Sequence, residues 1–284
     1  KTLRMQVTRG RLAWAARGAV LLFLIAQIAP PPLRVILDTP QTVLTQRPQL
    51  CVHTRLTDEV PEFRVQQTFR AVREMGADTI VEFFPWAYVE DTRGVYDWTH
   101  PDRIFRHARN QGVKILARFG IVPVWARPDD PDNPTTFNYL PVESFDAFAE
   151  FAARFTARYS DILAGVIIWN EPNLSFEWGF KPVDPEGYAD LLANIVRAQD
   201  SFNAVRQAAP DTPILAGALA PTTSETSDAL SDLVFLRRML EAGAADYFDI
   251  LAVHTYGFGL PPELEPSADQ TNFRRVELVR ALLD

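Results

Sequence analysis

The sequence predicts an α/β fold in which parallel strands alternate with helices, and three observations support that prediction. From about residue 48, short runs recur in which nearly every position is apolar, as in strands buried on both faces. Segments with the 3.6-residue periodicity of amphipathic helices lie between these runs. Polar and aromatic residues gather where several runs end, which is typical of a barrel with functional residues at the carboxyl ends of its strands.

Alternation of strands and helices implies right-handed crossovers and a parallel sheet. The first helical segment has its apolar residues on one face, and Gly76 follows it as a C-cap. We expect these apolar stripes to form the core rather than a cofactor site. The predicted strands are Leu50–Thr54, Thr79–Phe84, Val113–Phe119, Leu163–Trp169, Pro213–Ala218 and Phe248–His254. The stripes are Val65, Phe69 and Val72, then Phe145–Tyr159 and Tyr188–Val205, and a last helix is predicted at Asn272–Leu283.

Two architectures fit six strand–helix units: an open doubly wound sheet and most of a (β/α)8 TIM barrel. No Gly-x-Gly-x-x-Gly follows the first strand, which weakens the dinucleotide-binding form of the open sheet. The residues at the strand ends favour the barrel. We therefore predict an incomplete TIM barrel with about six of its eight units, and we expect the last two strands beyond residue 284.

Composition excludes several classes of protein. The chain has 284 residues, 47% of them apolar, so it is neither disordered nor fibrous. A net charge of −8 argues against nucleic acid as a partner, because affinity for phosphate comes from clustered Lys and Arg. The single cysteine, Cys51, excludes an intrachain disulfide, and we expect it to be a small buried apolar residue.

The amino-terminal segment resembles an export signal in its charge and hydropathy. Residues 19–29 are an apolar run, and the first 29 residues carry five basic side chains and no acidic one. We predict that residues 1–29 are a signal peptide or a membrane anchor, with residues 12–29 as the attachment, and a buried helix is the alternative. Residues 30–47 then form a linker and residues 48–284 the barrel domain. The positive flank places that domain outside the cytoplasm, extracellular or membrane-anchored.

The strongest chemical signal is the stretch Ile-Ile-Trp-Asn-Glu-Pro-Asn at residues 167–173, where a buried strand ends in an amide and a carboxyl group. Holding the Glu171 carboxyl at a hydrophobic barrel mouth costs desolvation energy, which favours its protonated form. A carboxyl group that stays protonated near neutral pH can act as a general acid, and Asn170 beside it can hold a substrate hydroxyl. The alternative is a salt-bridged Glu in an ordinary loop.

At these residues the sequence resembles the clan of (β/α)8 retaining glycoside hydrolases that includes families 5 and 39, over about residues 48–284. Supporting segments are Phe-Pro-Trp at 84–86, Gly-Val-Tyr-Asp-Trp at 94–98, Val-Pro-Val-Trp-Ala at 122–126 and His-Thr-Tyr at 254–256. The resemblance implies that Glu171 is the acid/base and that Asn170 contacts the sugar 2-hydroxyl. It also implies that His254 lines the subsite and that Tyr256 hydrogen-bonds the nucleophile.

The clan's nucleophile is a second Glu at the end of strand seven, so we expect it beyond residue 284 and expect this chain alone not to complete the reaction. Retaining hydrolysis needs two carboxyl groups about 5 to 5.5 Å apart. We do not assign the nucleophile to Glu82, within the second strand, and we interpret Glu177 as a solvated loop residue.

Other residues are candidates for contact with a sugar. Trp86, Trp125 and Trp178 could stack on a pyranose ring, with a plain core position as the alternative. Arg118 could bind a hydroxyl or steer a carboxylate, and His53 is either a pocket or a core residue. We predict no metal, because the histidines lack the spaced pairs of zinc sites, and we predict no cofactor.

The leading hypothesis is an exported glycoside hydrolase that acts on a β-linked oligo- or polysaccharide. The competing hypothesis is a non-catalytic carbohydrate-binding or cell-surface interaction module on the same barrel scaffold. A third possibility is an enzyme that transfers glycosyl groups to sugars rather than to water. In each case the expected partner is a carbohydrate.

Overall fold

A computed structural model describes residues 14–21, 35–57, 60–128, 135–197 and 205–284. The chain divides into two units, Lys1–Ile36 and Leu37–Asp284. In the first unit, residues 14–21 form a helix whose side chains are exposed. Residues 1–13 and 22–34, which hold most of the predicted export segment, lie outside the described residues. Within the described ranges, every helix is too short or too polar to cross a membrane.

The second unit is built on a parallel sheet whose six described strands pair in the order in which they occur in the chain. With helices between its strands, this sheet confirms the predicted incomplete (β/α)8 barrel. Each predicted strand overlaps an observed one, and the first and last are shorter than expected. The strands are β1 (Cys51–His53), β2 (Thr79–Pro85), β3 (Lys114–Gly120), β4 (Leu163–Asn170), β5 (Ile214–Leu219) and β6 (Ile250–Val253).

The helices follow the predicted stripes closely, except that the stripe Tyr188–Val205 is not one helix in the described residues. It ends at Val196, a second helix begins at Val205, and residues 198–204 lie outside the described residues. The helices are α1 (Glu62–Glu74), α2 (Trp86–Val89), α3 (Thr99–Gln111), α4 (Phe145–Tyr159), α5 (Pro185–Val196), α6 (Val205–Ala208), α7 (Asp232–Glu241) and α8 (Val276–Leu283). Turns of 3-10 helix occur at Val124–Ala126, Val142–Ser144, Ser175–Trp178, Ala244–Tyr247 and Phe273–Arg275.

The core lies between the sheet and the apolar faces of the helices. Phe105 of α3 and Tyr159 of α4 stack with their ring centroids 3.8 Å apart, and Phe155 meets both rings. All three side chains are almost completely buried, and burial of one such ring contributes roughly 1.5–3 kcal/mol. The aromatic stripe Phe145–Tyr159 is therefore core, as the sequence predicts.

The two outer strands are less covered than the central ones. Every residue of β5 is buried, whereas the first residue of β6, Ile250, is 47% exposed. Cys51, the first residue of β1, is also exposed, which corrects the expectation that it is buried. Among the described strands, β1 pairs with β2 alone, so the backbone groups along its other edge have no partner strand.

Part of the segment predicted as a linker is bound to the barrel. The Arg70 guanidinium of α1 donates to both carboxylate oxygens of Asp38, each at 2.6 Å, and holds the pKa of Asp38 below its usual range. The backbone N–H of Gln41 donates to the carbonyl of Asn110 at the end of α3 (2.8 Å). These contacts fix residues 38–41 against α1 and α3.

Candidate active site

The site is built where β4 ends, and the backbone there leaves regular strand geometry. Trp169 has a φ of 75° and Glu171 a φ of 43°, both in the left-handed region that residues other than glycine seldom adopt. Asn170, between them, is still paired with Ala218 of β5, and the Glu171 N–H donates to the Ala218 carbonyl (2.8 Å). Strain of this kind persists where surrounding contacts enforce it, and it clusters at functional sites.

One of those surrounding contacts is a tyrosine hydroxyl that bridges the two strands. The Tyr188 hydroxyl of α5 donates to the carbonyl of Ile168 (2.8 Å) and accepts from the N–H of Gly217 (2.5 Å). Tyr188 is completely buried. It therefore satisfies one backbone group of β4 and one of β5 immediately before the left-handed turn at Trp169.

The second asparagine of the motif holds the loops after β4 and β5 together. Asn173 is completely buried, and its amide donates to the carbonyls of Ala220 (2.8 Å) and Leu230 (3.0 Å). Its Oδ1 accepts from the N–H of Ala220 (2.9 Å). Sequence reasoning assigned no role to Asn173, although a buried amide directly after the Asn-Glu-Pro stretch is the signal that could have indicated one.

The structure brings Glu171 into direct contact with His254, which follows β6. Nδ1 of His254 and Oε1 of Glu171 are 2.5 Å apart, and a neutral imidazole in this position donates its Nδ1–H to the carboxylate. The Glu171 side chain is 15% exposed and that of His254 is 28% exposed, so both are largely enclosed. The His254 N–H is tied to the carbonyl of Leu219 on β5 (3.0 Å), which fixes the histidine backbone beside the motif.

Tyr256 lies next to His254, and its ring contacts the His254 ring. Its ring centroid is 5.4 Å from that of His254 and 5.7 Å from that of Phe258. The side chain is 49% exposed. An exposed ring beside the Glu171–His254 pair is accessible to a ligand.

Asn170 is held by a cation from the neighbouring strand. Nη1 of Arg118 on β3 donates to Oδ1 of Asn170, and the guanidinium lies over the Phe83 ring, 4.7 Å from its centroid. Burial lowers the pKa of Arg118, while the charges of Glu177 and Glu171 oppose that shift. Arg118 therefore acts on the site through Asn170.

Glu177 is a site residue that sequence reasoning placed in solvent, and the structure corrects that interpretation. Its side chain is half-buried, and its Oε2 accepts a hydrogen bond from the side-chain amide of Asn138 at 3.3 Å. Burial is the main cause that raises the pKa of Glu177, and the negative charge of Glu171 raises it further. The loop folds back because the Trp169 indole N–H donates to the Glu177 carbonyl (2.8 Å).

His53 was expected to be either a pocket residue or a core residue. It lies at the end of β1 and is exposed, so it is not a core residue. Partial burial lowers the pKa of His53, and electrostatic repulsion from the nearby Arg118, His254 and Arg55 side chains lowers it further. Because the strands are parallel, His53 at the end of β1 lies at the same edge of the sheet as the residues that follow β4 and β6.

Glu82 is completely buried and serves the fold rather than the cleft. Oε2 accepts from the Thr54 hydroxyl (2.5 Å), and Oε1 accepts from the N–H groups of Leu56 (2.9 Å) and Thr57 (3.0 Å) and from the Thr57 hydroxyl (3.0 Å). Burial raises the pKa of Glu82, and these hydrogen bonds oppose the shift. A carboxyl group so engaged has no free oxygen for an anomeric carbon.

Two of the three tryptophans expected to stack on a sugar are core residues. Trp86 is completely buried and donates its indole N–H to Glu90 (2.7 Å), and Trp178 is 2% exposed. Neither ring has a free face for a ligand, which corrects both expectations. Trp125 is half-buried and lines a surface hollow with Tyr96 and other residues; Glu171 is not among the described lining residues.

Within the described residues, no group of three or more His, Cys, Asp or Glu side chains is arranged to hold a metal ion. The site that the structure assembles brings together carboxyl, amide, imidazole and guanidinium groups. Such a site can donate and accept protons and can bind hydroxyl groups.

No family model and no curated protein matches the sequence. Solved structures match the fold. A family 39 glycoside hydrolase from the gut symbiont Bacteroides cellulosilyticus WH2 superposes with a TM-score of 0.60 at 21% identity, over 83% of this chain and 44% of that one. An exo-beta-1,4-mannosidase from Opitutaceae bacterium strain TAV5 superposes with a TM-score of 0.52 at 17% identity, over 78% of this chain and 41% of the mannosidase. A psychrophilic family 10 endo-beta-1,4-xylanase superposes with a TM-score of 0.51 at 16% identity, over 73% of this chain and 64% of the xylanase.

These likenesses show that the chain has the barrel fold found in glycoside hydrolases of this clan, which confirms the predicted resemblance at the level of fold. The chain spans less than half the length of the first two proteins and 64% of the third.

Proposed function

We propose that this chain acts in the hydrolysis of O-glycosidic bonds in a β-linked oligo- or polysaccharide, by a retaining mechanism with Glu171 as general acid/base. The observation that carries the proposal is the largely enclosed Glu171 carboxyl in contact with His254 at the strand ends of a barrel. The shared fold supports it, since the three structural neighbours are a glycoside hydrolase, a mannosidase and a xylanase.

In this mechanism Glu171 gives its proton to the glycosidic oxygen as the bond to the leaving sugar breaks. The same carboxylate then takes a proton from the water that attacks the glycosyl-enzyme intermediate. The hydrogen bond from His254 holds the Glu171 carboxyl in place between the two steps. Asn170, oriented by Arg118, binds the sugar 2-hydroxyl next to the reacting carbon.

A retaining mechanism also needs a nucleophilic carboxylate about 5 to 5.5 Å from the acid/base. The Glu82 oxygens already accept four hydrogen bonds in the core, and Glu177 accepts one from the side chain of Asn138. We therefore propose that the nucleophile is a glutamate outside the described residues.

The first test compares Glu171→Ala with the wild type on two classes of substrate. Natural β-linked oligosaccharides need protonation of a poor leaving group, so their hydrolysis should fall by about two to four orders of magnitude. Aryl β-glycosides with good leaving groups need little protonation, so the burst of phenol from the first step should be largely kept. Glu225→Ala, at an exposed loop position, is the control. Equal losses on both substrates would refute the acid/base role.

The same assays separate the competing functions. A non-catalytic carbohydrate-binding module would bind oligosaccharides without any turnover by the wild type, and a transglycosylase would yield longer products when sugar acceptors are added. We also propose that the barrel lies outside the cytoplasm, on the basis of the charged and apolar segment at residues 1–29. Cell fractionation tests this: recovery of the protein in the cytoplasmic fraction would contradict it.

A further inference from the structure

A surface hollow is formed by the segment that follows α2, the turn that follows β3 and the amino-terminal part of α4. Its volume is about 280 Å³, and Trp125 and Tyr96 contribute aromatic rings to its walls. Ligand sites begin at roughly 300 Å³, so a hollow of this size suits one ring-sized unit of a ligand. Glu171, Asn170 and His254 are absent from its described lining, so the hollow is distinct from the candidate active site.

A buried carboxylate fixes the shape of this hollow. Glu90 is 3% exposed; its Oε2 accepts from the indole N–H of Trp86 and its Oε1 from the N–H of Gly94, both at 2.7 Å. The Glu90 carbonyl accepts from the indole N–H of Trp125 (2.9 Å). The Trp86 and Trp125 rings also meet edge to face, with centroids 5.2 Å apart. Trp125 is therefore held in place before any ligand binds, which lowers the entropy cost of binding to its ring.

The two rings that line the hollow are contacted by exposed arginines. Cζ of Arg93 is 5.5 Å from the centroid of the Trp125 ring, and Cζ of Arg154 is 5.2 Å from that of Tyr96. Arg93 is exposed, and the Arg154 side chain is 54% exposed and paired with Glu150 (2.7 Å). Cation–π contacts and ion pairs at exposed sites are weak, so a ligand that stacks on a ring can displace the guanidinium. The displaced guanidinium can then donate to hydroxyl groups of that ligand.

The charges around the hollow determine which class of ligand fits. The carboxyl groups of Glu90, Asp146 and Glu150 outnumber the two guanidinium groups, so an anion meets net negative charge. A cation is repelled by the guanidinium groups that already lie against both rings. A neutral sugar avoids both difficulties, because the C–H face of a pyranose packs on an aromatic ring while its hydroxyl groups bind carboxylates and guanidinium groups.

We propose that this hollow is a second carbohydrate-binding site, which takes one neutral sugar unit of a glycan chain with Trp125 as its platform. Asp146 and Glu150 accept hydrogen bonds from the hydroxyl groups of that unit. Binding here needs no reaction at Glu171, so the inference goes beyond the proposed hydrolysis. On a polysaccharide, a contact at the hollow keeps the protein on the chain and raises the effective concentration of nearby sugar units.

The test follows the indole N–H resonance of Trp125 in a ¹H–¹⁵N spectrum, assigned by its loss in Trp125→Phe. The titrants are β-1,4-linked hexaoses of glucose, xylose and mannose, and the protein carries Glu171→Ala so that they are not consumed. We expect at least one hexaose to move this resonance in a saturable manner. A resonance that responds to none of the three would overturn the proposal, as would a response to tetramethylammonium in the absence of any response to the sugars.

A variant that fills the hollow shows where the sugar binds. Ala147 lines the hollow, and Ala147→Phe occupies its volume without removing any of the hydrogen bonds that hold Trp125. We expect the affinity reported by the Trp125 resonance to fall at least tenfold. Ala157→Phe, at an exposed position of the same helix outside the described lining, is the matched control and should bind as its parent does. An equal response in Ala147→Phe and its parent would place the binding elsewhere and overturn the proposal.

A second variant keeps the test decisive if Ala147→Phe folds poorly. Asp146→Ala, at an exposed position, removes one acceptor and should lower the affinity by about three- to tenfold through the loss of a charge-assisted hydrogen bond. An unchanged affinity would equally overturn the proposal. Saturable binding at the hollow by a protein whose wild type hydrolyses no glycoside would instead refute the proposed function and leave this inference standing.

Discussion

The Tyr188→Phe substitution tests how the strained end of β4 is held, because it removes one hydroxyl and leaves the ring that packs in the core. The carbonyl of Ile168 and the N–H of Gly217 then lose their partner in a region where Tyr188 is completely buried. A buried backbone group without a partner costs about 1–3 kcal/mol. Phenylalanine leaves no cavity, so no packing loss adds to that cost. Two such groups, partly relieved by local rearrangement, give an expected loss of about 2–4 kcal/mol in the free energy of unfolding.

Urea denaturation followed by tryptophan fluorescence measures this loss, with the m-value checked for constancy. Tyr88→Phe is the matched control, because its side chain is 59% exposed, and we expect a change within about 0.5 kcal/mol. If Tyr188→Phe were as stable as this control, the hydroxyl would not be needed to hold β4 against β5. The account of how Glu171 is positioned would then be wrong.

Three further predictions concern buried or half-buried groups. Asn173→Ala should lower the free energy of unfolding by about 3–5 kcal/mol, because three hydrogen bonds to buried backbone groups are lost. A loss of stability smaller than that of the surface variant Asn194→Ala would contradict this prediction. Trp86→Phe should lower the free energy of unfolding by about 1.5–3 kcal/mol, because the hydrogen bond to Glu90 is lost. The affinity for oligosaccharides should stay unchanged, and weaker sugar binding in calorimetry would contradict the assignment of Trp86 to the core. Glu177 has a raised pKa, so its ionisation destabilises the folded state once the pH exceeds the ordinary value of 4.5. Glu177→Gln should therefore be more stable than the wild type at pH 7, with the gain fading as the pH falls below about 4.5; a variant less stable than the wild type at pH 7 would contradict this.

The periodicity of apolar residues was enough to predict the strands and most helices, because in a parallel sheet covered by helices burial follows directly from position in the element. The stripe from Phe145 to Tyr159 and the strand that ends in Asn170 are clear cases. Periodicity says less about the outer strands. Cys51 is exposed at the start of β1, which pairs with one strand alone among the described strands, and an apolar run does not reveal that its strand is at an edge.

The roles of the individual site residues depended on contacts between distant segments. Glu177, six residues after Glu171, has the polarity of an exposed loop residue, and its position follows from hydrogen bonds to Trp169 and Asn138. Trp86, at the end of β2, and Trp125, after β3, look alike in the sequence, yet the first is core and the second is half-buried at a surface hollow. Tyr188 gives no sign of its bridge, since a helical tyrosine in an apolar stripe predicts packing alone.

The most direct test of the central claim is the reaction of Glu171→Ala with azide, in the full-length protein with an aryl β-glycoside as substrate. If Glu171 is the acid/base, the glycosyl-enzyme intermediate still forms, and azide attacks it without needing a general base. We expect azide to restore turnover and to give a β-glycosyl azide. An absence of azide acceleration, or an α-configured azide that marks Glu171 as the nucleophile, would contradict the account.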